Sequence, residues 1–149
     1  MSGKVKYIFI FPIPKADGLP ADELSLTMYG IDGDHHCDGG EFQISILPFE
    51  AKAKMEKMRS EGIKIEGFRA NIITEGFDAS VFGIGCRIKI GEALIEITGI
   101  KHCDADKCEV LAAGYDCPIL SNGLYTKVIT PGIIKIGDLV YPEKGENDA

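Results

Sequence analysis

Residues 86–98, CRIKIGEALIEIT, constrain the fold more than any other stretch of the chain. Two runs alternate apolar and polar residues with period two around Gly91-Glu92, the pattern of a β-hairpin with one face turned inward. Cys86 shares the face of Ile88 and Ile90, so it reads as an inert core thiol. A lone hairpin is not stable in water and must join a larger sheet. The chain supplies candidates in Val5–Phe11, which Pro12 and Pro14 end, and in Leu24–Tyr29, Phe42–Leu47, Phe68–Thr74, Tyr125–Thr130, Ile133–Ile136 and Leu139–Tyr141. These runs are short and rich in β-branched and aromatic residues. With 18 glycines in 149 residues, tight turns are available between nearly all of them.

One segment breaks the pattern. After Pro48, which suits a first helical turn, residues 49–60 place Phe49, Ala51 (or Lys52), Met55 and Met58 near helical spacing with Lys and Glu opposite. A helix over Phe49–Ser60 follows, with Met55 and Met58 packed inward and Gly62 as its stop. A second helix around Asp104–Ala113 is a weaker expectation, and Lys15–Asp22 reads as a loop. Many short strands with one or two flanking helices give a mainly β, compact barrel-like fold. The length suits one domain over residues 1–149, with a core from about 5 to 141 and a polar tail over 142–149.

The net charge of −7 opposes nucleic acid and anionic membrane surfaces, which need a basic footprint. The apolar run Tyr7–Ile13 is short and interrupted by proline, unlike a signal peptide or a membrane span. A cytoplasmic protein is expected, whose clustered cysteines stay reduced and suggest chemistry rather than crosslinks.

That chemistry concentrates in Lys101–Leu124, KHCDADKCEVLAAGYDCPILSNGL. Cys103 and Cys108 sit among charged residues, where a thiol is exposed and can act as a nucleophile or a soft-metal ligand. Lys101, His102 and Lys107 favour the thiolate there; Asp104, Asp106 and Glu109 oppose it. Cys117, before Pro118, reads as structural. A zinc site from His102, Cys103, Cys108 and Cys117 is a further reading, although no paired C-x2-C knuckle is present.

A second polar stretch, Gly30–Gly40, holds Asp32, Asp34, Asp38, His35, His36 and Cys37. Taken as an extended chain, adjacent side chains would point to opposite faces, so His35, His36 and Cys37 would not share one metal. The stretch reads instead as a glycine-shaped turn in which the aspartates bond nearby backbone amides, or as a loop lining a pocket, able to bring backbone N–H groups close to a ligand. In Phe68–Thr74, Arg69 and Asn71 fall on one face and Ala70 and Ile72 on the other. That face is either exposed or turned toward a ligand.

The ordered set GIDGDHH (residues 30–36), FQISIL (42–47), GFRANIITEGFD (67–78), IGCRIKIGEALIEITGI (84–100), the cysteine segment and GLYTKVITPGIIKIGDLVY (123–141) resembles the MOSC domain, the C-terminal module of molybdenum-cofactor sulfurases. Two departures stand out: Phe42 where the family often has Arg, and Ala70 where it commonly has Glu. The resemblance implies a β-barrel-like fold and binding of the molybdenum cofactor, a phosphate-bearing molybdopterin. It further implies an essential cysteine that carries sulfur as a persulfide or ligates molybdenum. That thiol maps to Cys108 first and Cys103 second, with Cys108 as the molybdenum ligand. Gly33, Asp34, His35, Arg69, Asn71, Lys101 and His102 are the matching candidates for cofactor contacts. The chain carries no pyridoxal-phosphate domain of its own, so the expected partner is a molybdoenzyme or a sulfur-donor protein. A non-catalytic carrier or chaperone of the cofactor is the alternative.

Overall fold

The computed structural model describes residues 3–14, 16–62, 70–77, 82–100 and 123–143, apart from the side chains at 55, 58 and 59. Its elements are β1 (Gly3–Ile10), β2 (Leu19–Ala21), β3 (Glu23–Thr27), β4 (Gly30–Ile31), β5 (Ile44–Pro48), α1 (Phe49–Ser60), β6 (Ile72–Glu75), β7 (Arg87–Ile90), β8 (Ala93–Ile100), β9 (Leu124–Thr130), β10 (Gly132–Lys135) and β11 (Leu139–Pro142). The large sheet runs β11-β7-β8-β9-β5-β6-β1-β2. β1 also pairs with β11, through Gly3↔Val140 and Lys4↔Leu139, and this closes seven strands into a barrel. Closure removes the free edges that an open sheet of this length would expose. A smaller sheet, β10-β3-β4, lies beside it.

The hairpin of residues 86–98 forms as its alternation requires. β7 and β8 pair from Arg87↔Glu96 to Ile90↔Ala93, and Ile88, Ile90, Ala93, Ile95 and Ile97 are all buried. Gly91 takes a positive φ of 55° at the turn, a conformation that favours glycine. Cys86 is half-buried and packs against the core, as its place on the apolar face implies. Ile8, Ile44, Ile46, Ile72, Leu124 and Val140 complete the barrel interior.

β5 and β6 are parallel, through Ile46↔Ile72 and Pro48↔Thr74. Parallel neighbours need a crossover, and α1 is that crossover. The helix spans the residues its spacing indicates, and Gly62 follows it with φ 85°. Ala51 is its buried contact. The side chains of Met55 and Met58, and the helix expected around Asp104–Ala113, lie outside what is described. Pro48 belongs to the end of β5 rather than to the first helical turn.

Two other expectations change. Residues 19–21 of the supposed loop form β2, an edge strand on β1 in which Pro20 costs no interior ladder bond. Of the supposed two-faced strand, the described residues Ala70, Asn71, Ile72, Ile73 and Thr74 are all buried. β6 runs between β5 and β1 and has no solvent face to spare.

Glu75 pairs with two lysines across the β1–β6 ladder. Lys6 Nζ lies 2.8 Å from Glu75 Oε2, with Lys4 Nζ 3.7 Å from Oε1. The hydrogen bond to Glu75 raises Lys6 above its ordinary range, and the same bond, then the Lys6 charge, lowers Glu75. The Glu75 contribution is therefore present above the ordinary carboxyl range and lost as acid protonates the lowered group. The Lys6 contribution is lost as base deprotonates the raised one. The stability gap between wild type and Glu75→Gln should be small, flat near neutrality, and vanish at both extremes in urea melts across pH; a gap that persists in acid would contradict the pairing.

Candidate functional site

The turn after β4 is built around one carboxylate. Asp34 is 6% exposed as a residue, and its side chain accepts three N–H groups. Phe11 N donates to Oδ2 at 2.9 Å, Asn71 Nδ2 donates to Oδ2 at 2.8 Å, and His36 N donates to Oδ1 at 2.9 Å. A buried carboxylate is tolerated only with such partners. The His36 bond curls the chain over its own aspartate, so the stretch is not extended. As a result His35 and His36 lie side by side, with ring centroids 3.8 Å apart and planes tilted by 42°. The premise that neighbouring side chains here diverge does not hold. Cys37 is the one that turns away, its Sγ 3.9 Å from Thr27 Oγ1.

Asn71 ties this turn to the barrel. Its Oδ1 accepts from Ser45 N at 3.0 Å and Ser45 Oγ at 3.1 Å. Its Nδ2 donates to Phe9 O at 3.2 Å as well as to Asp34. All four hydrogen-bonding positions of the amide are thus engaged within the protein. Asn71 and Asp34, expected as ligand contacts, act here as positioning residues. Gln43, not singled out from sequence, has the same character on the other side of the loop. Its Nε2 donates to Gly40 O at 2.9 Å and its Oε1 accepts from Val128 N at 2.9 Å. The signal was a lone amide residue entering an apolar strand.

The loop also keeps most of its amides for itself. The N–H groups of Asp32, Asp34, His35, Cys37 and Gly39 bond to backbone carbonyls, and Gly40 N bonds to Asp38 Oδ1. A ready cradle of N–H groups over Gly30–Gly40 is therefore not what the loop provides. Its outward offerings are the two imidazoles and the bare backbone of Gly33. There, with φ 90°, a Cβ would meet only Ile10 Cγ2 at 3.9 Å. His35 is held by a 2.6 Å bond from Nδ1 to Phe11 O. For a phosphate-bearing pterin this is a partial fit. His35 and Gly33 can face a ligand, while no Lys or Arg lies within residues 30–40 to neutralise a phosphate.

Those cations would come from Arg69, Lys101 and His102, which lie outside the described residues together with Cys103, Cys108 and Cys117. Their attachment points are described. Ile100 ends β8 and Leu124 begins β9, and the two are partners across the ladder. The same row continues through Ile46 and Ile72 to Ile8. The cysteine segment therefore leaves and re-enters the barrel on the row adjoining Asn71, the anchor of the His35 turn.

A closed seven-strand barrel with a parallel β5-α1-β6 crossover and two polar insertions defines a small β-barrel class of protein. The chain belongs to the MOSC domain family, whose sequence profile matches residues 32–141, from the aspartate-histidine turn through the cysteine segment to β11. Among solved structures, it is similar to the YuaD protein of Bacillus subtilis, with 21% identity, TM-score 0.72 and 94% of each chain covered. It is also similar to YiiM of Escherichia coli, with 20% identity and TM-score 0.64 over 97% of this chain and 71% of that one. YiiM of Geobacillus stearothermophilus gives 18% identity and TM-score 0.64 over 98% and 78%. At these identities the likeness establishes the shared fold. No curated protein matches the sequence. No helix among the described residues is long and apolar enough to cross a membrane.

Proposed function

We propose that this MOSC domain binds the molybdenum cofactor and presents Cys108, or otherwise Cys103, as its working thiol. That thiol acts as a sulfur carrier through a persulfide or as a ligand to molybdenum. The observation that carries the reading is the family match, which spans both the histidine turn and the cysteine segment. The strand pairing supports it, because the cysteine segment is rooted on the row next to Asn71, whose amide bonds Asp34 of the histidine turn.

In this reading Arg69, Lys101 and His102 neutralise the cofactor's phosphate, a job the acidic turn cannot do. His35 and Gly33 border the ligand. Asp34 and Asn71 fix His35 without touching it. When bound, the cofactor supplies a metal that takes soft sulfur ligands, and a thiolate rather than a hydroxyl suits that task. The cytoplasm keeps such a thiol reduced, and a molybdoenzyme or a sulfur-donor protein would be its partner.

Protein purified from a host that makes molybdopterin should carry molybdenum by mass spectrometry, together with the fluorescence of the oxidised pterin, in matching amounts. Zinc alone, with no pterin, would redirect the assignment to a structural site among the cysteines.

A further inference from the structure

We propose that Phe42 and Tyr125 form an aromatic platform that takes the flat pterin ring of the cofactor; this rests on the proposed function and deepens it. Phe42 is 53% exposed just before β5, and Tyr125 is half-buried on β9. Their ring centroids lie 5.0 Å apart with planes tilted by 34°, a spacing at which aromatic rings attract. A single exposed apolar side chain is ordinary. This one is held from both sides: Glu41 O accepts the Thr98 hydroxyl, and Gln43 N donates to Thr126 O at 2.9 Å. The pair also rests on bare backbone. A Cβ at Gly99 would meet Phe42 Cε1 at 2.8 Å, Phe42 Cζ at 3.1 Å and Tyr125 Cδ2 at 3.4 Å. Glycine is the residue that lets the rings approach so closely.

The strand register places this platform between the two insertions. Tyr125 is the cross-strand partner of both Gly99 and Ser45. Ser45 Oγ donates to Asn71 Oδ1, and Asn71 Nδ2 donates to Asp34. One row therefore runs from the His35 turn through Asn71 and Ser45 to Tyr125 and Gly99. The next residue, Ile100, is the root of the cysteine segment. The chemistry here suits a ring rather than a phosphate. Lys127, two residues along β9, is committed to Glu41 at 3.5 Å and Glu96 at 3.9 Å. An aromatic face, by contrast, accepts any flat heteroaromatic, because each presents a π face of its own.

Protein from a host unable to make molybdopterin should be titrated with unsubstituted pterin, which carries neither phosphate nor metal. Fluorescence anisotropy gives the affinity, and NMR follows the ring protons of the pterin. Wild type should bind one pterin per chain, and those protons should move upfield, because stacked rings shield one another. Phe42→Leu keeps apolar bulk and removes the flat face. Its affinity should fall at least about fivefold, the lower end of what stacking a base on an aromatic side chain contributes, and most of the upfield shift should be lost. Phe42→Tyr restores the ring and should bind as wild type does. So should Tyr141→Leu, which removes a partly exposed ring on β11, two strands from β8. Far-UV circular dichroism would verify each fold. Failure of wild type to bind pterin, unchanged affinity in Phe42→Leu, or an equal loss in Tyr141→Leu would each overturn the platform. Molybdenum and pterin retained by protein from a producing host test the cofactor reading separately. Their presence with a failed titration removes the platform alone, and their absence removes the cofactor reading and the platform with it.

Discussion

Replacing Asn71 by Leu should cost about 3–5 kcal/mol of stability, although the two side chains are close in size. The loss does not come from a cavity. It comes from four polar groups that the amide serves, of which the Asp34 carboxylate is buried and the other three are part-buried. Ser45 N and Ser45 Oγ lose an acceptor, Phe9 O loses a donor, and the buried Asp34 carboxylate loses one of its three N–H partners. A buried polar group left unpaired costs about 1–3 kcal/mol, and more when it is charged. Such costs do not simply add, because the groups share one network and can relax together. Even the lower figure is a large part of the about 5–15 kcal/mol that holds a typical domain together. Asn71→Asp should also be harmful, for another reason: it sets a second carboxylate against Asp34, and the pair must share a proton to persist. Its stability deficit should therefore widen as pH rises, whereas that of Asn71→Leu should change little between pH values near and above neutrality. Urea unfolding of both variants at two pH values separates these cases. A loss under about 1 kcal/mol for Asn71→Leu would mean that the amide is not the tie between turn and barrel.

The contrast between Asn71 and the 86–98 hairpin shows what local pattern can reveal. β7 and β8 bury every second residue, so their sequence records both their conformation and their inward face. α1 was legible less from its weak apolar periodicity than from the glycine that ends it. β6 was misread because it has strands on both sides and is buried on both faces. Alternation carries no information where neither face meets solvent. The closing pair β1–β11 joins residues from opposite ends of the chain, and no local pattern encodes that contact. A turn with aspartates bonded to nearby amides was legible, but the side-by-side placement of His35 and His36 that it produces was not. Asp34 accepts from the backbone two residues onward and bends a segment that would otherwise diverge. In both misread places the deciding residue was a buried polar one, whose partners are set by tertiary structure.

Cys108→Ser should abolish persulfide loading or molybdenum retention while leaving the melting curve of the protein nearly unchanged. Serine matches cysteine in shape and differs in what its heteroatom can do. A hydroxyl does not ionise near neutrality, cannot hold sulfane sulfur and is a poor ligand for a soft metal centre. The other thiols serve as internal controls. Cys86 is half-buried against the barrel core and Cys37 is half-buried beside Thr27, so both are less open to a reagent than an exposed thiol. Alkylation near neutral pH should therefore label Cys108 or Cys103 well before Cys86, because reactivity follows exposure and thiolate fraction. Single serine variants at 103, 108 and 117, assayed for bound molybdenum and for persulfide after loading with a sulfane donor, would assign the role. Full retention in Cys108→Ser with loss in Cys103→Ser transfers it to Cys103. If persulfide loading, molybdenum and pterin all remain in all three single variants and in the triple variant, thiol chemistry is excluded, and the cations Arg69, Lys101 and His102 would hold the cofactor in a carrier. Arg69→Ala and Lys101→Ala should then release pterin even where every cysteine substitution does not.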